Sequence, residues 1–306
     1  MEFSIELPLQ RSPTASEARS HSMIVRWLPL VALPAFVLAI FPSSAPGWAL
    51  MWLLAGAIYF GCKWLSWVAT ARPAALGRTL AWWLAWPGMD ARQFLAANSP
   101  QRSVGEIEWA FALLKTVLGV GLFIIAGRLM ASGSIRGAAW LGMVAFILSL
   151  HCGVFHLVSC LWRTIGWQAE PLMNRPLASR SVGEFWSRRW NRAFRDLTYP
   201  AIFRPLATRY GPAVGTLAVS AFSGLVHELV ISIPAGGGFG LPTLYFLLQG
   251  LAVLVESRFA GNRMSWGRDL LDRAIAAVVI VGPLPLLVHR PFINAVVAPF
   301  LKAICL

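Results

Sequence analysis

Thr216, Ser220, Ser223 and His227 recur at spacings of four, three and four within one apolar run. At about 100° per residue they share one face of a helix. Ser and Thr in such a helix commonly bond their own backbone or a neighbouring helix, and Gly215 and Gly224 fit close helix packing. His227 followed by Glu228 is different in kind, because ionisable groups are costly among apolar side chains and gather along cavities, relays or substrate paths. An imidazole placed there is expected to be neutral and able to take a proton near pH 7, with Ser223 one turn earlier fixing which ring nitrogen carries the hydrogen. General-base catalysis and proton relay both use such a group.

The other chemical candidates are weaker. His151 and His156 are five apart, so they do not share a helix face as a pair of metal ligands would; a structural role is expected, although His156 could line the same cavity as His227. His289, beside Arg290 and Pro291, reads as an interfacial residue at a membrane edge. Cys62, Cys152, Cys160 and Cys305 form no CxxC pair and mostly lie in apolar runs, so they are expected to be small buried hydrophobes, not disulfides or metal ligands. There is no P-loop, nucleophile elbow or HExxH. Asp90, Asp196, Asp269 and Asp272 do not cluster as magnesium-diphosphate chemistry would require. No metal and no cofactor are expected.

These groups must be positioned by membrane helices. The 306 residues are 57% hydrophobic and 13% charged, far from the composition of a soluble domain. Apolar runs of spanning length cover Ile24 to Phe41, Trp48 to Thr70, Ile107 to Ala126, Ala138 to Trp162, Ala213 to Ile233, Leu241 to Ser257 and Ala274 to His289. Leu76 to Trp86 is too short and too rich in Trp to span, and is placed at the interface. The predicted fold class is therefore all-α, a polytopic helical membrane protein with about seven or eight transmembrane helices in one domain over 23–306. Residues 1–22 read as a polar cytoplasmic tail. There is no repeat period and no low-complexity block.

A net charge of +13 raises nucleic acid as a partner, but the Arg residues cluster between apolar runs. Nucleic acid is excluded on that pattern, and membrane lipids are the expected surroundings. With the N-terminus in the cytoplasm, the cytoplasmic side holds Arg11, Arg19, Arg26, Arg72, Arg78, Arg92, Arg102, the arginines from Arg163 to Arg209, and Arg258, Arg263, Arg268 and Arg273; the opposite loops hold Arg128 and Arg136. That asymmetry sets the orientation. The excess of Arg over Lys and the short loops incline toward a bacterial inner membrane, with the endoplasmic reticulum as the eukaryotic alternative.

The longest hydrophilic connection contains a helical period over Ser181 to Thr198. Ser181 and Glu184 fit a capping box, and Pro200 lies where the helix should stop. Val182, Phe185, Trp186, Trp190, Ala193, Phe194 and Leu197 fall on one arc, with Glu184, Arg188, Asn191 and Arg195 opposite. The plain expectation is an amphipathic helix lying on the membrane with its Arg side chains at anionic headgroups. A functional role requires the polar face to look into a cavity of the protein, with Arg188 and Arg195 beside Asn191.

The run Asn174-Arg175-Pro176-Leu177-Ala178-Ser179-Arg180-Ser181-Val182-Gly183-Glu184-Phe185-Trp186-Ser187-Arg188-Arg189-Trp190-Asn191, followed by Ser223-Gly224-Leu225-Val226-His227-Glu228, resembles the two ordered motifs of plant-type wax synthases, a branch of the membrane-bound O-acyltransferases. Trp86-Pro87-Gly88-Met89-Asp90 is a further short match. The dense resemblance runs from about Pro171 to Ile233; Ser187 stands where the family usually has Gly, and Val182 where Leu is common. The resemblance implies transfer of an acyl group from acyl-CoA to a fatty alcohol or another lipidic hydroxyl, in a membrane-embedded tunnel and without an acyl-enzyme. It implies His227 as general base and Asn191 as partner of the thioester or oxyanion. Ser223, Trp190, Trp186, Arg188, Arg189, Arg195 and Glu228 become the expected substrate-binding residues, with Arg192 joining the arginines that steer the CoA phosphates. The alternative from another class is a polytopic transporter that uses His227 and Glu228 as a proton relay.

Overall fold

The computed structural model describes residues 15–70, 74–96, 104–259 and 269–305. Arg11, Arg72, Arg102, Arg263 and Arg268 of the expected cytoplasmic set lie outside the described residues, as do positions 1–14 of the expected tail. The described residues are mostly helical and contain no strand.

Among the described residues, six helices are long and apolar enough to cross a membrane: Met23–Ile40, Gly47–Val68, Glu106–Ala131, Ile135–Thr164, Pro212–Ala235 and Asp269–Leu287. Their apolar side chains point outward to an extent no water-soluble fold would tolerate, as with Val31 (67% exposed), Ile107 (74%) and Val278 (70%). This is a polytopic helical membrane protein. In chain order the elements are α1 (Ala15–Ile40), α2 (Gly47–Val68), α3 (Leu76–Ala85), α4 (Ala91–Leu95), α5 (Glu106–Ala131), α6 (Ile135–Phe146) and α7 (Phe155–Thr164), the last two joined by π-helical turns. There follow α8 (Val182–Glu184), α9 (Arg192–Thr198), α10 (Arg204–Tyr210), α11 (Pro212–His227), α12 (Ile233–Ala235), α13 (Leu241–Arg258), α14 (Asp269–Val281), α15 (Leu284–Leu287), α16 (Arg290–Phe292) and α17 (Ala298–Cys305).

Four expectations change. Helix α1 begins at Ala15, inside the stretch expected as a tail. The expected run Leu241 to Ser257 folds as α13 but is not among the six spanning candidates, because Gln249, Glu256 and Arg258 dilute its apolar length. Residues Arg290 to Cys305, where no element is expected, continue helically through a π-turn into α17 and bury Val296 and Leu301 against α5 and α6. At 16 residues that stretch falls short of the roughly 20 needed to span, so it is a packed piece of the core. His289 is 3% exposed, not interfacial; its Nδ1 accepts from the Phe292 amide at 3.2 Å and caps α16.

Small residues set the closest approaches. A Cβ on Gly224 would lie 2.7 Å from the Thr243 backbone, and one on Gly250 would lie 2.3 Å from the Ser220 hydroxyl. Helices α11 and α13 therefore meet through glycine on both sides. The expected marks of close packing at Gly215 and Gly224 are both found, Gly215 against Phe203 and Ala207. Cys62 and Cys160 are buried, and all four cysteines are free thiols.

Candidate active site

Helix α11 carries His227 at its last position, 15 residues beyond Pro212, or about 22 Å along the axis at 1.5 Å per residue. Immediately afterwards the backbone winds as a π-helical turn over Glu228–Ser232, a widened geometry that recurs at functional sites. The Nδ1 of His227 lies 2.7 Å from the Ser223 carbonyl oxygen. A carbonyl can only accept, so Nδ1 carries the hydrogen and Nε2 keeps a free lone pair. Ser223 fixes the tautomer through its backbone, not its hydroxyl. Ser223→Ala is therefore expected to keep kcat within about threefold of wild type in initial-rate assays, well short of the 10²- to 10⁴-fold typical of a lost base. Of the remaining polar stripe, Thr216 bonds its own backbone at Pro212 (3.0 Å) and Ser220 packs on Gly250.

The imidazole packs against Phe246 of α13 with ring centroids 4.4 Å apart and the planes tilted by 40°, and Phe246 touches Trp186 at 5.6 Å. Trp186 is held by its indole N–H, which donates to Gln249 Oε1 at 3.2 Å, while Gln249 Nε2 donates to the Val279 carbonyl at 3.0 Å. His227 lies deep among the helices and still keeps accessible surface.

The expected continuous helix over Ser181 to Thr198 is broken. Ser181 does cap its start, its hydroxyl accepting from Glu184 N at 2.9 Å, but Glu184 returns its carboxylate to Arg180 N (2.8 Å) and to Arg189. Burial works to raise the Glu184 carboxyl, yet the Arg180 amide and the Arg189 guanidinium hold it below its ordinary value. After π-helical turns over Phe185–Arg189 the chain turns out at Trp190 and then Asn191 adopts φ 42°, a left-handed conformation. Asn is one of the few side chains that tolerate this region. The backbone groups freed by the break are taken up by the preceding segment: Asn174 N donates to Arg189 O at 2.8 Å and Arg192 N to Leu172 O at 3.0 Å. Pro200 does not stop the chain from being helical; it enters a π-turn that leads into α10.

Asn191 is thereby the cap of α9, its Oδ1 accepting from Phe194 N at 3.3 Å. With the amide oxygen so engaged, the orientation of the side chain is set and its NH₂ is left as a donor. The apolar face of α9 packs into the protein instead of presenting itself to lipid. Phe194 stacks on Phe222 of α11 (5.9 Å), and Ala193 and Leu197 join the same buried cluster as Trp82, Trp86 and Phe94. Asn191 and His227 thus stand on packed elements, α9 against α11, with Trp186 and Phe246 as the second link.

The remaining expected residues divide. Trp190 stacks on Phe185 (5.4 Å). Arg189 pairs with Glu184 at 2.6 Å, Arg195 with Asp196, and Arg192 lies 3.7 Å from Glu170. Arg188 is exposed and makes no ion pair among the described residues. Glu228 is no mobile relay group: Oε1 accepts from Gly240 N (3.0 Å), Thr243 N (3.1 Å) and the Thr243 hydroxyl (2.9 Å), closing the N-terminus of α13. At the far end of α13, Glu256 accepts from Val182 N (2.8 Å) and Gly183 N (3.0 Å), the first amides of α8.

Lys63 goes unmarked in the sequence analysis. Its side chain is fully buried in α2, and Nζ donates to the carbonyls of Trp82 (2.8 Å), Trp86 (2.7 Å) and Gly88 (2.7 Å). A lone ammonium in an apolar run is the signal that could have found it. The Trp86-Pro87-Gly88-Met89-Asp90 motif is thus wrapped around a lysine, and with α9 it borders a polar cleft that includes Asp90, Glu170, Arg192 and Asp196. Burial pushes the Asp196 carboxyl up, against the pull of Arg195.

His156 belongs to a separate array: Lys115 Nζ lies 2.7 Å from its Nδ1, Glu108 Oε1 lies 3.1 Å from its Nε2, and Arg163 grips Glu108 at 2.5 and 3.2 Å. Glu108, His156 and Cys160 bring three potential metal-binding atoms within 4.8 Å of one another. Two of those donors already face cations, which works against a third cation among them.

Residues 167–248 match the membrane bound O-acyl transferase family, so the motif-bearing segment has the resemblance that its residues imply. The chain is 33% identical over 111 residues to the probable long-chain-alcohol O-fatty-acyltransferase 2 of Arabidopsis thaliana, covering 33% of this chain and 32% of that protein. It is 29% identical over 127 residues to the acyl-CoA–sterol O-acyltransferase 1 of the same plant (37% and 34% covered). It is 28% identical over 196 residues to that plant's probable long-chain-alcohol O-fatty-acyltransferase 1 (57% and 52% covered). The chain spans between a third and about half the length of these relatives.

Proposed function

We propose that this protein is a membrane O-acyltransferase that moves a fatty acyl group from acyl-CoA to the hydroxyl of a lipidic acceptor such as a fatty alcohol. The observation that carries the reading is the His227 tautomer: Nδ1 is tied to the Ser223 carbonyl, which leaves Nε2 as a proton acceptor in a site that keeps accessible surface. Nε2 takes the acceptor's proton as its oxygen attacks the thioester carbonyl. A C–O bond forms, the C–S bond breaks, and the imidazolium returns the proton to the departing thiolate. The Asn191 NH₂ donates to the developing oxyanion. No further cofactor takes part.

The exposed Arg188 is the arginine available to a CoA phosphate, because Arg189 and Arg195 are committed to Glu184 and Asp196. The Arg-rich connection from 163 to 212 then faces the cytoplasm, with the N-terminus on the same side. In this reading Trp186, Trp190 and Phe246 flank the acyl chain.

The test is to supply membranes with labelled acyl-CoA and a panel of fatty alcohols, sterols and glycerides, and to measure ester. Asn191→Gly is the informative variant, since glycine accepts the left-handed backbone without strain and removes only the amide. Its ester formation is expected to fall by on the order of 10²- to 10³-fold, as for a lost oxyanion donor, with thermal stability nearly retained. Full activity in Asn191→Gly would remove Asn191 from the mechanism, and proton-coupled solute flux without ester from any acceptor would favour a transporter.

A further inference from the structure

Two buried polar atoms at the far end of α11 have no hydrogen-bond partner, the Oε2 of Glu228 and the Nε2 of His289. They are chemically complementary. Nδ1 of His289 accepts from the Phe292 amide, so the ring hydrogen sits on Nε2 and makes it a donor, whereas the carboxylate oxygen is an acceptor. Both meet the same glycine turn. The His289 ring lies so close over Gly238 that a Cβ there would be 2.4 to 2.6 Å from its atoms. Glu228 holds Gly240 through its other oxygen, and the buried Ser232 hydroxyl lies beside the Glu228 carboxylate while making a long, 3.4 Å bond to the Gly238 carbonyl. The Glu228 charge reaches the imidazole, although burial prevails and keeps the His289 ring below its usual pKa.

Buried polar atoms are costly to leave unpaired, and a hydroxyl group that reaches both would accept from Nε2–H while donating to Oε2. We infer that Glu228, His289 and the Gly236–Gly240 turn form a hydroxyl-binding site beside the catalytic end of α11, occupied by the acceptor's hydroxyl or by a bound water. It rests on the acyltransferase reading for its link to catalysis, since Glu228 follows His227 directly. A ligand held there is positioned against the π-helical turn that carries the base.

The variants that separate the two atoms from their structural duties are conservative. His289→Asn keeps a good N-cap oxygen for Phe292 N but loses the Nε2–H. Glu228→Gln keeps a carbonyl for Gly240 and Thr243 while its NH₂ replaces the acceptor Oε2. Each single change is expected to lower kcat/KM about tenfold, as loss of an orienting partner does, and the double variant to be no worse than either one. An increase in KM for the alcohol with an unchanged KM for acyl-CoA identifies the acceptor hydroxyl. A fall in kcat with both KM values unchanged identifies water. Effects that simply multiply in the double variant overturn the site. The same four proteins are compared by thermal midpoint in detergent, which requires no turnover; coupling there stands even if ester formation is absent or His227→Ala stays active.

Discussion

His227→Ala is expected to lower kcat for ester formation by on the order of 10²- to 10⁴-fold, the largest catalytic loss of any single change in this protein, while the folded chain survives. The imidazole makes one hydrogen bond, to a carbonyl within its own helix, and one ring contact with Phe246. Its removal therefore orphans no distant polar group. His227→Gln is the companion variant, nearly matching in size and able to donate to the Ser223 carbonyl, yet unable to accept a proton at neutral pH. Equal loss in both variants assigns the effect to proton transfer. Substantial recovery in the glutamine variant would instead make His227 a hydrogen-bonding residue, and unchanged ester formation in the alanine variant would end its candidacy as the base. Single-turnover rates with saturating acyl-CoA separate these results from changes in binding.

Lys63→Met is expected to have the largest effect on stability. The substitution preserves bulk and removes the donor to three carbonyls. Tyr59 also donates to the Trp86 carbonyl at 3.0 Å, so the oxygens of Trp82 and Gly88 are the ones left unpaired. At about 1–3 kcal/mol for each buried orphan, the expected loss is about 2–6 kcal/mol, lowering the thermal midpoint by about 4–24 °C at 2–4 °C per kcal/mol. Fluorescence-detected unfolding in detergent measures it. A midpoint within a degree or two of wild type would mean that the Trp86–Asp90 turn stands without its lysine. Activity should fall with the turn, because this motif shares its polar cleft with Arg192 and Asp196 of α9.

What was legible in the sequence follows from what each residue's signal depends on. The six spanning helices were readable because lipid imposes a minimum apolar length that one stretch of chain must meet alone. The Ser181 cap was readable for the same local reason. The break at Asn191 was not, since the bonds that sustain it come from Leu172 and Asn174, far back along the chain, and the apolar period continues through it undisturbed. The C-terminal stretch into α17 is short, with its burial supplied by α5 and α6. Glu228 and Glu256 look like ordinary ionisable groups until the helix ends they close are in place. The contact between Ser223 and His227 runs through a backbone carbonyl, an atom with no side-chain signature in the sequence.

Helix α13 is gripped at both ends by carboxylates, Glu228 from just beyond His227 and its own Glu256 on the first amides of α8. It behaves as a tie rod that sets the spacing between two motifs lying 36 positions apart, Asn191 to His227. A rod of this kind has a fixed length and a fixed phase. One residue added or removed in its interior would turn Glu256 by about 100° and carry it off the Val182 and Gly183 amides, so α13 should tolerate substitution far better than insertion.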